Sequence, residues 1–214
     1  HLICNDILGQ PIQAAKEEYY NLYHMNYDEI KQYDCGSRLN PRFPFQQLFL
    51  TCKPLLSEVY DLLEIIQDDS FTLLLELKSD KEWYGLYQPE IKEYAKIVVD
   101  FIMSHPFQGK LVIQSFDTEL LNAIYELNSF PLMGLLVDNK NNVDKNLMAL
   151  DFEPSHYNIY HAFVTDELFA TLTAKNIEVI PWTVNSVVEA NRLERIGIKG
   201  IITDYPDLFL RPQS

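Results

Sequence analysis

From residue 71 onward, short apolar runs recur at 72–78, 111–115, 132–138, 156–160, 178–184 and 200–203. From the second run on, their starts lie 21 to 24 residues apart. Two parallel strands need a crossover of about a dozen residues or more, usually a helix, and each interval is long enough to hold one. The rhythm therefore predicts a parallel sheet with helices outside it. The runs LVIQS, LMGLLVD and EVIPWTV are almost wholly apolar, as strands covered on both faces should be.

The intervals carry helix signals. Pro89 suits a first helical residue, and Ile91, Tyr94, Ala95, Val98, Val99 and Ile102 follow at helical spacing. Asp117 suits an N-cap for a helix with inner face Leu120, Leu121, Ile124 and Tyr125. Thr165 suits the next cap, with Asp166 and Glu167 in the first turn. Ser186 and Glu189 have the spacing of a capping box, and Gly197 ends that helix.

Two architectures fit this order, an open doubly wound sheet and a closed barrel. No Gly-rich phosphate fingerprint follows any run, which weighs against the dinucleotide-binding form of the open sheet. A barrel needs eight units, and only six runs are present. Residues 1–70 are polar and aromatic, with turn signals at Leu8–Pro11 and Cys35–Pro44. They hold one clear helix after Ser57, with Val59, Leu62, Leu63 and Ile66 inward, and a short helix is expected within 16–35. The acidic run Glu64–Asp69 reads as a solvated helix end.

The chain has 31 acidic against 17 basic residues, a net charge of −14. Such a surface disfavours nucleic acid and anionic lipid, and an anionic substrate needs a local cation or a metal. No apolar run is long enough to span a membrane and no signal peptide is evident. The opening on His1 without methionine suits a mature or truncated product. Cys4, Cys35 and Cys52 show no C-x-x-C spacing, so they suggest neither a disulfide framework nor a zinc site. One disulfide plus a free thiol stays open.

In a parallel α/β fold, chemistry gathers at the carboxyl ends of the strands. At the end of TLLLELKSD, Glu76 and Lys78 are two apart and point the same way, with Leu75 and Leu77 opposite. Two interpretations stand: a structural ion pair, or a metal-binding carboxylate beside a cation for an anionic substrate. Gln114, Ser115 and Phe116 end the next run, Trp182 and Asn185 a later one, and Asp204 the last. Phe116 is equally suited to core packing, and Asp204 to capping the turn at Pro206. Trp182 follows Pro181, which predicts a bend that presents its ring. The histidines form no H-x-x-x-H or H-E-x-x-H pattern. His105 reads as a helix-end residue, and His156 and His161 as structural, although His161 is within reach of the mouth.

The pieces YDEIKQYDCGSRLNPRFP, KPLLSEV, LLLELKSD, LVIQSFD, VIPWTVN and GIKGIITDYPDL occur in an order that resembles the glycerophosphodiester phosphodiesterases. The resemblance covers nearly the whole chain. It implies an α/β fold of the TIM-type (β/α)8 barrel, here truncated to about six β/α units plus the family's insertion. Residues 1–54 would be that insertion, a lid segment, and residues 55–214 the barrel from its second helix to its eighth strand. It implies metal-dependent hydrolysis of a glycerophosphodiester to glycerol 3-phosphate and an alcohol, a reaction of lipid and glycerol metabolism, with Ca2+ or Mg2+ as cofactor. By resemblance Glu76 is a metal ligand and Lys78 contacts the phosphate. Trp182 lines the glycerol pocket, and Gln114, Phe116 and Asn185 complete the substrate side.

The departures are specific. The family's H-R-G strand and its E-x-D strand followed by H-D carry both catalytic histidines, an arginine and two of three metal carboxylates. None is present here, so no catalytic residue is assigned, and His1 is followed by Leu2 rather than aspartate. Leu39 and Phe45 replace residues usually glycine and polar. The chain alone is therefore expected to be inactive and to bind metal weakly. The alternative is a non-catalytic binding or interaction module on an incomplete barrel, which would favour a homodimer. An unrelated metal-dependent barrel hydrolase is a third reading. The expected partner is a small molecule, with no nucleic acid and no membrane span. Bacterial relatives are often exported, which by resemblance favours a periplasmic or secreted location.

Overall fold

The computed structural model describes residues 4–66, 71–107, 109–128, 130 and 132–209. It divides into two compact units, His1–Asp68 with Glu82–Glu90, and Asp69–Lys81 with Ile91–Ser214.

The first unit is built from turns tied together by polar side chains. A tight reversal is made by Asp6, whose Oδ1 accepts from the backbone N–H of Leu8 and Gln10, with Gly9 left-handed at φ 74°. A disulfide joins Cys4 to Cys35, leaving Cys52 free. The cysteine count left this pairing open, and the structure decides it. Beside it, Asp34 accepts from the N–H groups of Gly36, Ser37 and Thr51 and from the Ser37 hydroxyl. That hydroxyl first, then the Gly36 N–H, holds the carboxyl well below the usual carboxylate range. Gly36 is required by close approach, since a Cβ there would lie 2.4 Å from both the Phe49 carbonyl and Thr51 Cγ2.

Helix α1 (Tyr27–Ile30) starts on a capping box between Asn26 and Glu29. Helix α2 (Leu56–Ile66) begins one residue before Ser57. Its inner face differs from expectation: Tyr60 is buried, whereas Leu62 is 58% exposed. Of the acidic run, Glu64 is exposed as expected; 67–69 lie outside the described residues.

The second unit carries the sheet. Strands β1 (Thr72–Glu76), β2 (Lys110–Ser115), β3 (Met133–Val137) and β4 (His156–Ile159) pair in parallel in that order. The fifth and sixth runs continue the order without forming regular strands. Residues 178–184 bridge β4 in parallel at His156↔Glu178 and Tyr160↔Trp182. Residues 200–203 bond to that segment, Val184 N–H to the Ile202 carbonyl and Ile202 N–H to the Pro181 carbonyl. Pro181 has no N–H of its own, which accounts for the broken ladder. Each run thus lies beside its neighbour in sequence. A doubly wound sheet reverses this order at a switch point, while a barrel keeps it. The fold is α/β of the TIM-barrel type.

Helices α3 (Ile91–Ser104), α4 (Thr118–Leu127), α5 (Val143–Leu147), α6 (Asp166–Ala174) and α7 (Val187–Ile196) fill the intervals. The core joins Ala95, Val98 and Ile102 of α3 and Leu120, Leu121 and Ile124 of α4 to Ile113, Leu135 and Tyr157 of the sheet. The N-caps Asp117 and Thr165 form as expected. Pro89 instead precedes α3 by two residues. His105 follows α3 and stacks on Phe101 at 4.3 Å.

The expected capping box of α7 is absent. Ser186 makes no side-chain cap bond, and the Glu189 side chain, which would complete the box, is drawn elsewhere. Its carboxylate takes the Arg192 guanidinium and, at 2.7 Å, His161 Nδ1. Arg192 also donates to the carbonyls of His161 and Val164, so the triad ties α7 to the turn after β4. Arg192 first, then His161, lowers the Glu189 pKa to about 2. A carboxyl lowered on folding contributes stability above its unfolded value near 4.5 and loses it as pH falls toward about 2. Glu189→Gln is expected to cost about 2 kcal/mol at neutral pH, allowing for partial solvation, and to flatten the acid limb of stability. Urea unfolding of both proteins at neutral and acid pH checks this; parallel pH profiles would refute it.

Candidate active site

Because the strands are parallel, their carboxyl ends lie at one edge. Register puts Glu76 beside Gln114, Gln114 beside Gly134, and Gly134 beside His156. These residues alternate along the strands with the helix-facing core residues Ile113, Leu135 and Tyr157. Glu76 therefore lies on the sheet's inner face, and Leu77 is buried in the helix-side core, as the spacing required.

Lys78 Nζ lies 2.6 Å from Glu76 Oε1, so the two pair. The lysine side chain is 75% exposed and the glutamate 27%. An ion pair this wet contributes about 0–1 kcal/mol, too little to explain a charged pair there by stability alone. Just behind it, Ser79 donates to Asp117 and Ser115 to the Leu77 carbonyl, locking the end of β1 to that of β2.

The aromatic residues meet across the strands. Phe116 packs edge-on to Trp182 at 5.3 Å, and Tyr160 lies 5.5 Å from the same ring. Phe116 is 40% exposed, so core packing does not account for it. Gln114 is buried, and its Oε1 accepts from Asn158 Nδ2 at 2.6 Å. Asn185 donates to Asp204 Oδ2 at 2.8 Å, and its Oδ1 accepts from Asp204 N–H and the Thr203 hydroxyl. Asp204 thus joins two strand ends; the N-cap at Pro206 is Tyr205, which makes no side-chain cap bond.

Five of the six candidates fall into three clusters, Glu76 with Lys78, Phe116 with Trp182, and Asn185, which pairs with Asp204; the sixth, Gln114, is tied to Asn158. Asn158 and Tyr160 were not singled out from sequence. A polar residue alternating inside the run YNIY was the available signal. His161 is turned to Glu189, and His156 is buried at the opposite end of β4, beside Ser155. Burial holds the His156 pKa below its usual value.

Among the described residues, no group of three or more His, Cys, Asp or Glu side chains is placed to hold a metal ion. Calcium takes about 6–8 oxygen ligands and magnesium about six in octahedral array. Glu76 alone, engaged by Lys78, does not fit such an ion.

The model of the glycerophosphoryl diester phosphodiesterase family matches residues 10–208. The chain belongs to this family. A glycerophosphodiester phosphodiesterase from Caldanaerobacter subterraneus is 27% identical over 86% of this chain and 69% of its own length. One from Bacillus altitudinis is 28% identical over 85% and 69%. The crystal structure of a Silicibacter pomeroyi protein named for the same activity superposes with a TM-score of 0.81 at 25% identity, covering 96% of this chain and 72% of that one. An Oleispira antarctica phosphodiesterase, solved with its product sn-glycerol-3-phosphate, shares the fold at 22% identity and a TM-score of 0.68, covering 87% and 69%. The family is one of enzymes, and the described residues of this chain do not by themselves form a site for a divalent cation. Among the described residues no helix is long and apolar enough to cross a membrane.

Proposed function

We propose that this chain carries the substrate-holding side of an enzyme that hydrolyses glycerophosphodiesters to glycerol 3-phosphate and an alcohol. The observation that carries this is a cation and an aromatic wall at one sheet edge of a chain matched almost throughout by the family. The Lys78 ammonium attracts the phosphate in an otherwise acidic molecule. The Trp182 ring forms an apolar wall against the glycerol carbons, and Phe116 braces it. Asn185 and Asp204 fix the neighbouring strand ends. By the family resemblance Glu76 is the carboxylate assigned to Ca2+ or Mg2+, and with no further group of metal-holding side chains among the described residues it would hold such an ion weakly. Residues 1–54 are the family's insertion.

On this reading the 214 residues alone do not turn over and bind Ca2+ or Mg2+ weakly. The test incubates the chain with glycerophosphocholine and either cation and measures glycerol 3-phosphate. No release is expected. Metal-dependent release abolished by Glu76→Gln would overturn the inactivity while supporting the ligand role. A second reading, a non-catalytic module, draws on the lack of a metal-holding group among the described residues. It predicts a dimer by light scattering and no affinity for glycerol 3-phosphate.

A further inference from the structure

We propose that Asn158 is a positioning residue that fixes the indole of Trp182 at the sheet edge, and that Gln114 holds Asn158 in place. This rests on the proposed function only for what the indole is used for.

Asn158 is fully buried in β4, where an amide without partners is strongly disfavoured. Its groups all lead toward Trp182 or its support. Between β4 and the 178–184 segment, the parallel ladder runs from Glu178 N–H to the Ser155 carbonyl and from Tyr157 N–H to the Glu178 carbonyl. It resumes with Trp182 N–H to the Ile159 carbonyl and His161 N–H to the Trp182 carbonyl. By the same rhythm the rung between would run from Ile180 N–H to the Tyr157 carbonyl. The Ile180 N–H goes instead to Asn158 Oδ1 at 3.1 Å. The side chain thus replaces a backbone rung where Pro181 bends the chain. Two residues on, Trp182 Nε1 donates to the backbone carbonyl of the same Asn158 at 2.8 Å.

The other end of the amide is anchored two strands away. Asn158 Nδ2 reaches Gln114 Oε1 across β3, where Gly134 sits in register with Gln114. A Cβ on Gly134 would lie 3.3 Å from Gln114 Cβ and 3.3 Å from His156 Cβ. The missing side chain gives Gln114 its path over β3. Asn158 is thereby held in the one orientation that presents Oδ1 to Ile180, since a flipped amide would set Nδ2 against that N–H and Oδ1 against Gln114 Oε1.

The test uses the full chain carrying Trp83→Phe, so that Trp182 is the sole tryptophan and its emission is read by excitation selective for indole. In this background Asn158→Leu removes both side-chain bonds. A red-shifted emission, greater acrylamide quenching and a loss of glycerol 3-phosphate affinity of about tenfold or more are expected, with far-UV circular dichroism unchanged. Asn158→Asp supplies a reversible version. A protonated carboxyl donates to Gln114 and accepts from Ile180 as the amide does; the ionised form cannot donate. Burial raises a carboxyl pKa, so the parent signal should return at about pH 5 and be lost at about pH 9, while the Asn158 parent does not change. Emission from Asn158→Leu matching the parent, or from Asn158→Asp matching it at both pH values, overturns the proposal. If Asn158→Leu does not fold, the Asn158→Asp comparison decides, and if neither folds, Gln114→Met must show the same red shift or the proposal fails. A shifted ring in a chain whose parent has no affinity for glycerol 3-phosphate would sink the proposed function and leave the positioning role standing.

Discussion

Reducing the Cys4–Cys35 disulfide is expected to destabilise the first unit by about 3.7 kcal/mol, from the chain-entropy relation for a loop closed at this separation. The separation is 31 residues, and the segment between holds only short helical turns and α1. Few of its apolar side chains are buried, Cys4 and Ile12 being the clearest, while Ile7, Leu8 and Tyr19 are well exposed. A unit with so little core depends on covalent and polar ties, here the disulfide and the bonds gathered on Asp34. Replacing both cysteines by alanine should speed amide exchange across the first unit and leave the sheet of the second unchanged. Thiol titration of the unreduced protein should find one reactive group, Cys52, rising to three on full reduction. Three thiols before reduction, or exchange rates indifferent to the double substitution, would show that the ties on Asp34 suffice.

What could be seen in the sequence divides along physical lines. Four of the six strands, the order of all six runs and the inner faces of α3 and α4 were legible because burial on both sides enforces apolar runs, and helical spacing is local. Caps at Asp117 and Thr165 were legible for the same reason: a cap bonds to N–H groups two or three residues away. The capping box at Ser186 failed in part because the Glu189 side chain had better partners, Arg192 one turn on and His161 from the turn after β4, which no local pattern reports. Leu62 failed because its neighbour Tyr60 takes the inward place, and a window of apolar residues does not rank its members. The disulfide depended on two turns bringing distant cysteines together.

The site was legible in part for a related reason. Charged and aromatic residues at strand ends stand out against apolar runs, so Glu76, Lys78, Phe116 and Trp182 were visible. Asn158 was not, because its value lies in partners on β2 and in the 178–184 segment, across a glycine on β3. Gln114 was visible but belongs beneath the edge, as a support. The carboxylates that would complete a cation site are not among the described residues.

The second large effect concerns Lys78. Its replacement by methionine is expected to weaken binding of glycerol 3-phosphate by about 1.5–3 kcal/mol, the worth of a hydrogen bond to a charged group. That is roughly a ten- to hundredfold rise in Kd. Stability should change by less than about 1 kcal/mol, because the pair with Glu76 is open to water. Glu76→Gln separates the two interpretations of the pair. If Lys78 serves the ligand, then in metal-free buffer removing the carboxylate frees its ammonium and removes a repulsive charge, so phosphate affinity should rise. If the pair is only structural, both substitutions should leave affinity untouched. Isothermal titration in metal-free buffer at two salt concentrations reads this directly, and the attraction should weaken with salt. Opposite shifts from Lys78→Met and Glu76→Gln would tie the anion to Lys78. Equal affinities in all three proteins would remove the phosphate from this edge of the sheet, and with it the main support for a substrate-holding role.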